Sequence, residues 1–147
     1  MQKYFRSIAM IPNEDQSRWF CAWNESEAYF DFTSVEPRAG DSFRACISKE
    51  VIRVLRLRSK DVLVANMAQI NDEYVGVLPG HPQQQHIAIA FFMVHLYGKS
   101  SNNAVDSLPK GRWLTSSELL AGQAKDGLAI SPTLVHLLRR TEVIQAW

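Results

Sequence analysis

From Phe43 onward the apolar residues Phe43, Cys46, Ile47, Val51, Val54 and Leu55 recur at separations of three and four, the spacing that gathers side chains on one face of a helix packed against a core. Before that point the periodicity is that of strands. Residues 4–11 read as a strand stopped by Pro12 and a polar turn over 13–17, and residues 18–23 as a second strand-like run. After a turn at 24–27, residues 28–35, with Tyr29, Phe30 and Phe32, predict a third strand leading into the helix. Beyond the helix, residues 62–70 and 74–78 predict a hairpin turning at Asn71-Asp72. Residues 86–97 are the most apolar run and lack clean alternation, which suits a central strand covered on both faces; the run is too short and too interrupted to span a bilayer. A polar loop over 99–110 follows, and Ser116-Ser117-Glu118 reads as a helix start with its cap. Ser131-Pro132 supplies an N-cap and a proline at the first helical position, so residues 133–147 predict a closing helix.

One charged residue breaks the apolar stripe of the first helix. Glu50 lies three residues after Ile47 and four before Val54, so its carboxylate points toward a sheet or a cleft rather than into open solvent. Burying a carboxylate is costly unless it is paired or hydrogen-bonded. Two readings follow: an interior salt bridge with Lys49 or with an Arg of a facing strand, or a functional carboxylate.

Residues 35–57, which contain this helix and the turn before it, resemble the Nudix box, the strand-loop-helix motif of enzymes that cleave nucleoside diphosphates linked to another group. Aligned without a gap, Val35 takes the place of the motif's first Gly and Asp41 that of its first Glu. Lys49-Glu50-Val51 falls on Arg-Glu-aliphatic, Arg53-Val54 on the Glu-Glu pair, Arg56 on the last Gly and Leu57 on the final aliphatic position. Gly40-Asp41-Ser42 stands where a Gly-Glu-Ser turn is common, and Asp41 or Ser42 is also a good helix N-cap. Residues 111–120, with Trp113, are similar to the Trp-containing strand and short helix that follow in Nudix proteins.

The resemblance implies a single domain over residues 1–147, an α/β fold in which a mixed sheet lies between the box helix and a C-terminal helix in an α/β/α sandwich. It implies less about activity. In the family the helix glutamates hold divalent cations over the pyrophosphate, and Mg²⁺ wants several hard oxygen ligands. Here Glu50 alone remains, Val54 has no donor atom, and Arg53 puts a positive charge where a cation would sit. No metal site is expected; Mg²⁺ or Mn²⁺ enters only if Glu50 works with carboxylates from elsewhere, such as Asp41 or Glu73.

Composition and charge narrow the classes. The net charge of +1 gives no general affinity for nucleic acid or an anionic membrane. Cationic residues nevertheless crowd the helix and its exit: Arg44, Lys49, Arg53, Arg56, Arg58 and Lys60, opposed there by Asp41, Glu50 and Asp61. Arg44, Arg56 and Arg58 read as a solvated helix face. His81, His86, His95 and His136 show no metal-ligand spacing. Trp19, Trp23 and Trp113 sit in strand-like runs and read as core. Gln83-Gln84-Gln85, with Pro79, Gly80 and Pro82, reads as a surface loop. Cys21 and Cys46 read as reduced, packed thiols, and residues 1–11 lack a signal region, so the protein is expected to be cytoplasmic.

Three functions stay open. The first is a binding or regulatory module whose ligand is nucleotide-like or phosphorylated, with Lys49 and Arg53 touching it and Glu50 orienting one of them. The second is a hydrolase of nucleoside-diphosphate derivatives using Glu50 as a catalytic residue with carboxylates from outside the box. The third is a protein-interaction subunit whose cleft is filled by side chains.

Overall fold

The computed structural model describes residues 1–145. Along them run the strands β1 (Gln2–Met10), β2 (Trp19–Asn24), β3 (Tyr29–Asp31) and β4 (Ser34–Val35), then helix α1 (Phe43–Leu55). After a single 3₁₀ turn come β5 (Val62–Val64), β6 (Ile70–Gly76), β7 (Gln85–Leu96), α2 (Gly98–Asp106), β8 (Gly111–Leu114), α3 (Ser116–Ala121) and α4 (Pro132–Thr141).

β7 is the spine. Ile87, Ile89 and Phe91 are buried on one of its faces and Ala90, Phe92 and Val94 on the other, which is why the run shows no polar alternation. β1 pairs parallel to it from Gln2 opposite Gln85 to Met10 opposite Met93, and β4 adds antiparallel to β1. A second sheet, β3-β2-β8, is wholly antiparallel. Ile47, Val51 and Leu55 of α1 pack with Ala9, Ile11, Phe92 and Val94 on one side of the first sheet. On the other side Leu134, Leu137 and Leu138 of α4 pack with Ile8, Met10, Ile89 and Phe91. Helix, sheet and helix therefore form the expected layers, with the mixed sheet between the box helix and the C-terminal helix. Cys21 and Cys46 are buried free thiols.

Five expectations need correction. The hairpin over 62–78 does not form: β5 and β6 both pair antiparallel with β7, Val62 opposite Leu96 and Ile70 opposite Phe91. Residues 62–76 are thus one interrupted strand beside a very long one, bulged at 66–68, and Asn71-Asp72 lies inside β6. The true hairpin joins β6 to β7, with Gln85 already buried as the first residue of β7 rather than part of a surface loop. The third strand splits in two because the Asp31 carboxylate accepts the Phe32 N–H at 2.9 Å, a local bond that competes with the ladder, after which the chain crosses from the second sheet to the first. Residues 98–106 are helical, not loop; α2 buries only Ser101 and Val105, too thin a stripe for a period to register. Finally α4 ends at Thr141, where Glu142 turns left-handed (φ 54°) and donates its N–H to Leu138. Ile144 then folds back into the core; Ala146 and Trp147 lie outside the described residues.

Two positions on α1 show what holds it. Ser42, not Asp41, caps the N-terminus, its Oγ accepting the Ala45 N–H at 3.0 Å. Arg44 was expected on a solvated face, but its guanidinium donates to the carbonyls of Ala65 (2.9 Å) and Val64 (2.7 Å), tying the helix to the end of β5. Arg58, from the same group, bonds Asp61 at 3.1 Å. At the C-terminus Arg56, aligned with the motif's last Gly, adopts φ 56°, a left-handed conformation that glycine takes at little cost and side chains with a Cβ do not.

Asp31 is a carboxyl group strongly altered by the fold. Desolvation pushes its carboxyl up to about 7, offset only in part by the Phe32 N–H and the Arg6 charge. A folded pKa above the ordinary 3.8 favours the protonated form, so the contribution to stability is complete below about pH 4 and disappears as pH rises through about 7. Asp31→Asn is expected to raise stability at pH 8 by about 2–4 kcal/mol and to change it little at pH 4, read from urea unfolding at the two pH values; an equal effect at both removes the desolvation account. Arg56→Gly is expected to stabilise the chain by about 0.5–1 kcal/mol through relief of the left-handed residue, measured by thermal or urea unfolding, and a loss of stability would contradict it.

Candidate functional site

On the second half of α1, residues three and four apart share a face, so Glu50, Arg53 and Val54 stand together. The Glu50 side chain is 21 % exposed and that of Arg53 71 %. The two are joined by a paired contact, Arg53 Nε to Glu50 Oε1 at 2.8 Å and Nη2 to Oε2 at 2.9 Å. The Glu50 hydrogen bond and charge raise the Arg53 pKa above its ordinary value. The partner of Glu50 is therefore neither Lys49 nor an Arg of a facing strand. It is the Arg of its own next turn, because the long guanidinium reaches back over one helical turn and matches both carboxylate oxygens.

Arg53, Val54 and Arg56 form one wall of a cleft of about 330 Å³. The facing wall is Phe20, Ala22 and Trp23 of β2, and the turn Leu108-Pro109-Lys110-Gly111 closes one end. This turn is locked to the wall by the Trp23 N–H, which donates to the Lys110 carbonyl at 2.8 Å. Gly111 is required there: a Cβ would come within 2.6 Å of the Phe20 ring, so any larger residue would have to displace that ring. Among the described residues that line the cleft are three cations, Arg53, Arg56 and Lys110, and no carboxylate. Glu50 stands behind Arg53, and Glu25 lies 3.7 Å from the Lys110 ammonium.

The other expected site residues fall elsewhere. Lys49 is exposed, one turn before Arg53, and does not line the cleft. Asp41 is exposed ahead of α1. Glu73, inside β6 rather than on a turn, is held by His86 at 2.7 Å. Among the described residues no three His, Cys, Asp or Glu side chains gather in a group that could hold a metal, so Asp41 and Glu73 do not join Glu50 as a substitute ligand set. The donors do not fit a divalent cation: the one helix carboxylate already serves a guanidinium, and the positions beside it carry a cation and an alkyl group.

Sequence reasoning missed Lys110 and Trp23 as cleft residues; Arg56 is exposed as expected and also lines the cleft. The αL turn at Arg56 carries its side chain to the cleft. Trp19 and Trp113 are half-buried and bonded to Ser116 (3.0 Å) and Asp106 (2.7 Å), as tryptophans at the edge of a core should be. Trp23 packs edge-on against Phe30 at 4.9 Å and also faces the cleft.

No protein-family model and no curated protein sequence matches the chain. Solved structures do resemble it. The ORF135 protein of E. coli superposes with a TM-score of 0.59 at 13 % identity, covering 95 % of this chain and 88 % of its own. The Ap4A hydrolase of C. elegans gives 0.57 at 8 % identity over 95 % and 96 % of the two chains. RenU, a Nudix hydrolase of M. smegmatis, gives 0.52 at 8 % identity over 95 % and 84 %. Identities this low speak for the fold and not for the chemistry. Layers, element order and these three structures agree that the chain has a Nudix-like fold.

Proposed function

We propose that this chain is a Nudix-fold binding module that takes a nucleotide-like or phosphorylated ligand through cations, without a divalent metal and with little or no hydrolysis. The observation that carries this reading is the cleft beside α1, lined by Arg53, Arg56 and Lys110 with no carboxylate among the described residues. Metal-assisted phosphate chemistry needs an acidic cradle to neutralise the ion; a cationic cradle meets phosphate oxygens directly, through charge-assisted hydrogen bonds. Glu50 takes two N–H groups of Arg53 and leaves the rest of the guanidinium for the ligand, so it acts as a positioning residue. Lys49, a turn earlier on the same face, adds positive charge to the approach. Trp23 in the facing wall offers an apolar ring to the non-phosphate part of a nucleotide-like molecule. The open cleft also speaks against an interaction subunit whose cleft is filled by its own side chains. Two buried, reduced cysteines support a cytoplasmic location.

The test is calorimetry and thermal unfolding of metal-stripped protein with inorganic pyrophosphate and with ADP. Both are expected to bind and to raise Tm in EDTA. Arg53→Ala should weaken binding about ten- to a hundred-fold, as expected for one charge-assisted contact of about 1.5–3 kcal/mol, and Lys49→Ala combined with Arg53→Ala should weaken it at least as much. Unchanged affinity in that double variant sinks the cationic site. Mg²⁺-dependent turnover of a nucleoside diphosphate derivative that disappears in Glu50→Gln would establish the hydrolase instead.

A further inference from the structure

On the opposite side of the sheet from the α1 cleft lies a larger open groove of about 680 Å³. Ile130 and Val135 are buried in its floor, and Pro79, Ala121 and Pro132 are exposed along its rim. Among the described residues its ionisable lining is basic: His136, Arg139 and Arg140. These groups are held in place. Arg139 donates Nε (2.9 Å) and Nη2 (2.6 Å) to the Leu120 carbonyl at the end of α3. Arg140 donates to Asp72 at 2.7 Å and stacks 3.4 Å over the Tyr74 ring, whose hydroxyl is 3.2 Å from His136 Nε2. Fixed side chains lose little conformational freedom when a partner arrives, which lowers the cost of docking. Val77 and Leu128, two residues before Pro79 and Ile130 in the chain, are exposed at 51 % and 39 %.

We infer that this groove docks an acidic peptide segment of a partner protein, an apolar anchor seated on Ile130 and Val135 and flanking carboxylates meeting Arg139 and Arg140. Charge complementarity selects the occupant. A purely apolar segment would offer no acceptor to the guanidinium donors that Arg139 and Arg140 keep beyond their contacts to Leu120 and Asp72, and a basic one would be repelled. The exposed prolines and neighbouring apolar residues offer contact along an extended chain, beyond what a compact anion covers. Arg140 keeps donors beyond the one given to Asp72, so the peptide adds to the existing network without breaking it. The groove uses none of the residues of the α1 cleft, and its role does not depend on the ligand bound there.

The test is ¹H–¹⁵N NMR titration of the full chain with a synthetic peptide in which Leu-Phe is flanked on each side by two Glu. Shifts are expected at Gly122, Val135, His136 and Arg139. They should be absent with the Lys-flanked version, weaken about ten-fold between 50 and 300 mM salt, and persist in Arg53→Ala. Ala121→Glu, which puts a carboxylate on the exposed rim, should weaken binding about ten-fold by repelling the peptide's carboxylates; Arg139→Gln should do the same if α3 and α4 stay docked. Four results would overturn the inference: no shifts at millimolar peptide, shifts at Trp23 and Lys110 in place of the groove, equal groove shifts with inorganic phosphate, or capture by phosphatidylserine vesicles without peptide binding.

Discussion

The pairing of β1 with β7 is the constraint on which the rest depends. It is parallel and nine residues long, and a parallel pair needs both faces covered because its connection must cross over the sheet. The α1 layer supplies one cover and α4 the other. The length of β7 also accommodates β5 and β6 in succession along one edge. α1 is then held by its buried stripe and by Arg44 reaching the end of β5, so the register of that edge and the placement of the box helix are coupled. A shift of β5 by one residue would change which carbonyls Arg44 meets and move the helix that forms a wall of the cleft.

At the cleft the same scaffold has been given the opposite polarity. Where the motif puts carboxylates, this chain has Arg53 and an alkyl side chain, and the surviving carboxylate of Glu50 is committed to Arg53. Two opposite charges in paired contact nearly cancel at a distance, so Arg56 and Lys110 contribute most to the sign of the field in the cleft, tempered at Lys110 by Glu25. The second groove repeats the theme with a different construction: its arginines are anchored on a carbonyl, a carboxylate and an aromatic ring, outside any helix motif.

The layers were legible because their signals are local. The stripe from Phe43 to Leu55, the unalternating run of β7 and the Ser131-Pro132 start all record which faces are buried. The failures share a cause. β6 reads as half of a hairpin because Asn71-Asp72 has turn chemistry, but pairing to β7 occupies those residues, and Asp72 finds Arg140 sixty-eight positions away. α2 has almost no stripe because it buries only two residues. α4 stops before the polar boundary suggests, because Ile144 is needed in the core.

By itself the sequence determined the elements with a strong period, the order of layers, and the surplus of cations over carboxylates along α1 and its exit, since each is set by residue identity within a turn or two of chain. Tertiary structure decided the partners. Which cation neutralises Glu50, that Lys110 comes to the cleft, that Arg44 is structural, and that Arg139 and Arg140 edge an apolar groove all depend on where distant segments meet. Side-chain charges act over a few ångströms of space, and separation along the chain does not specify that distance.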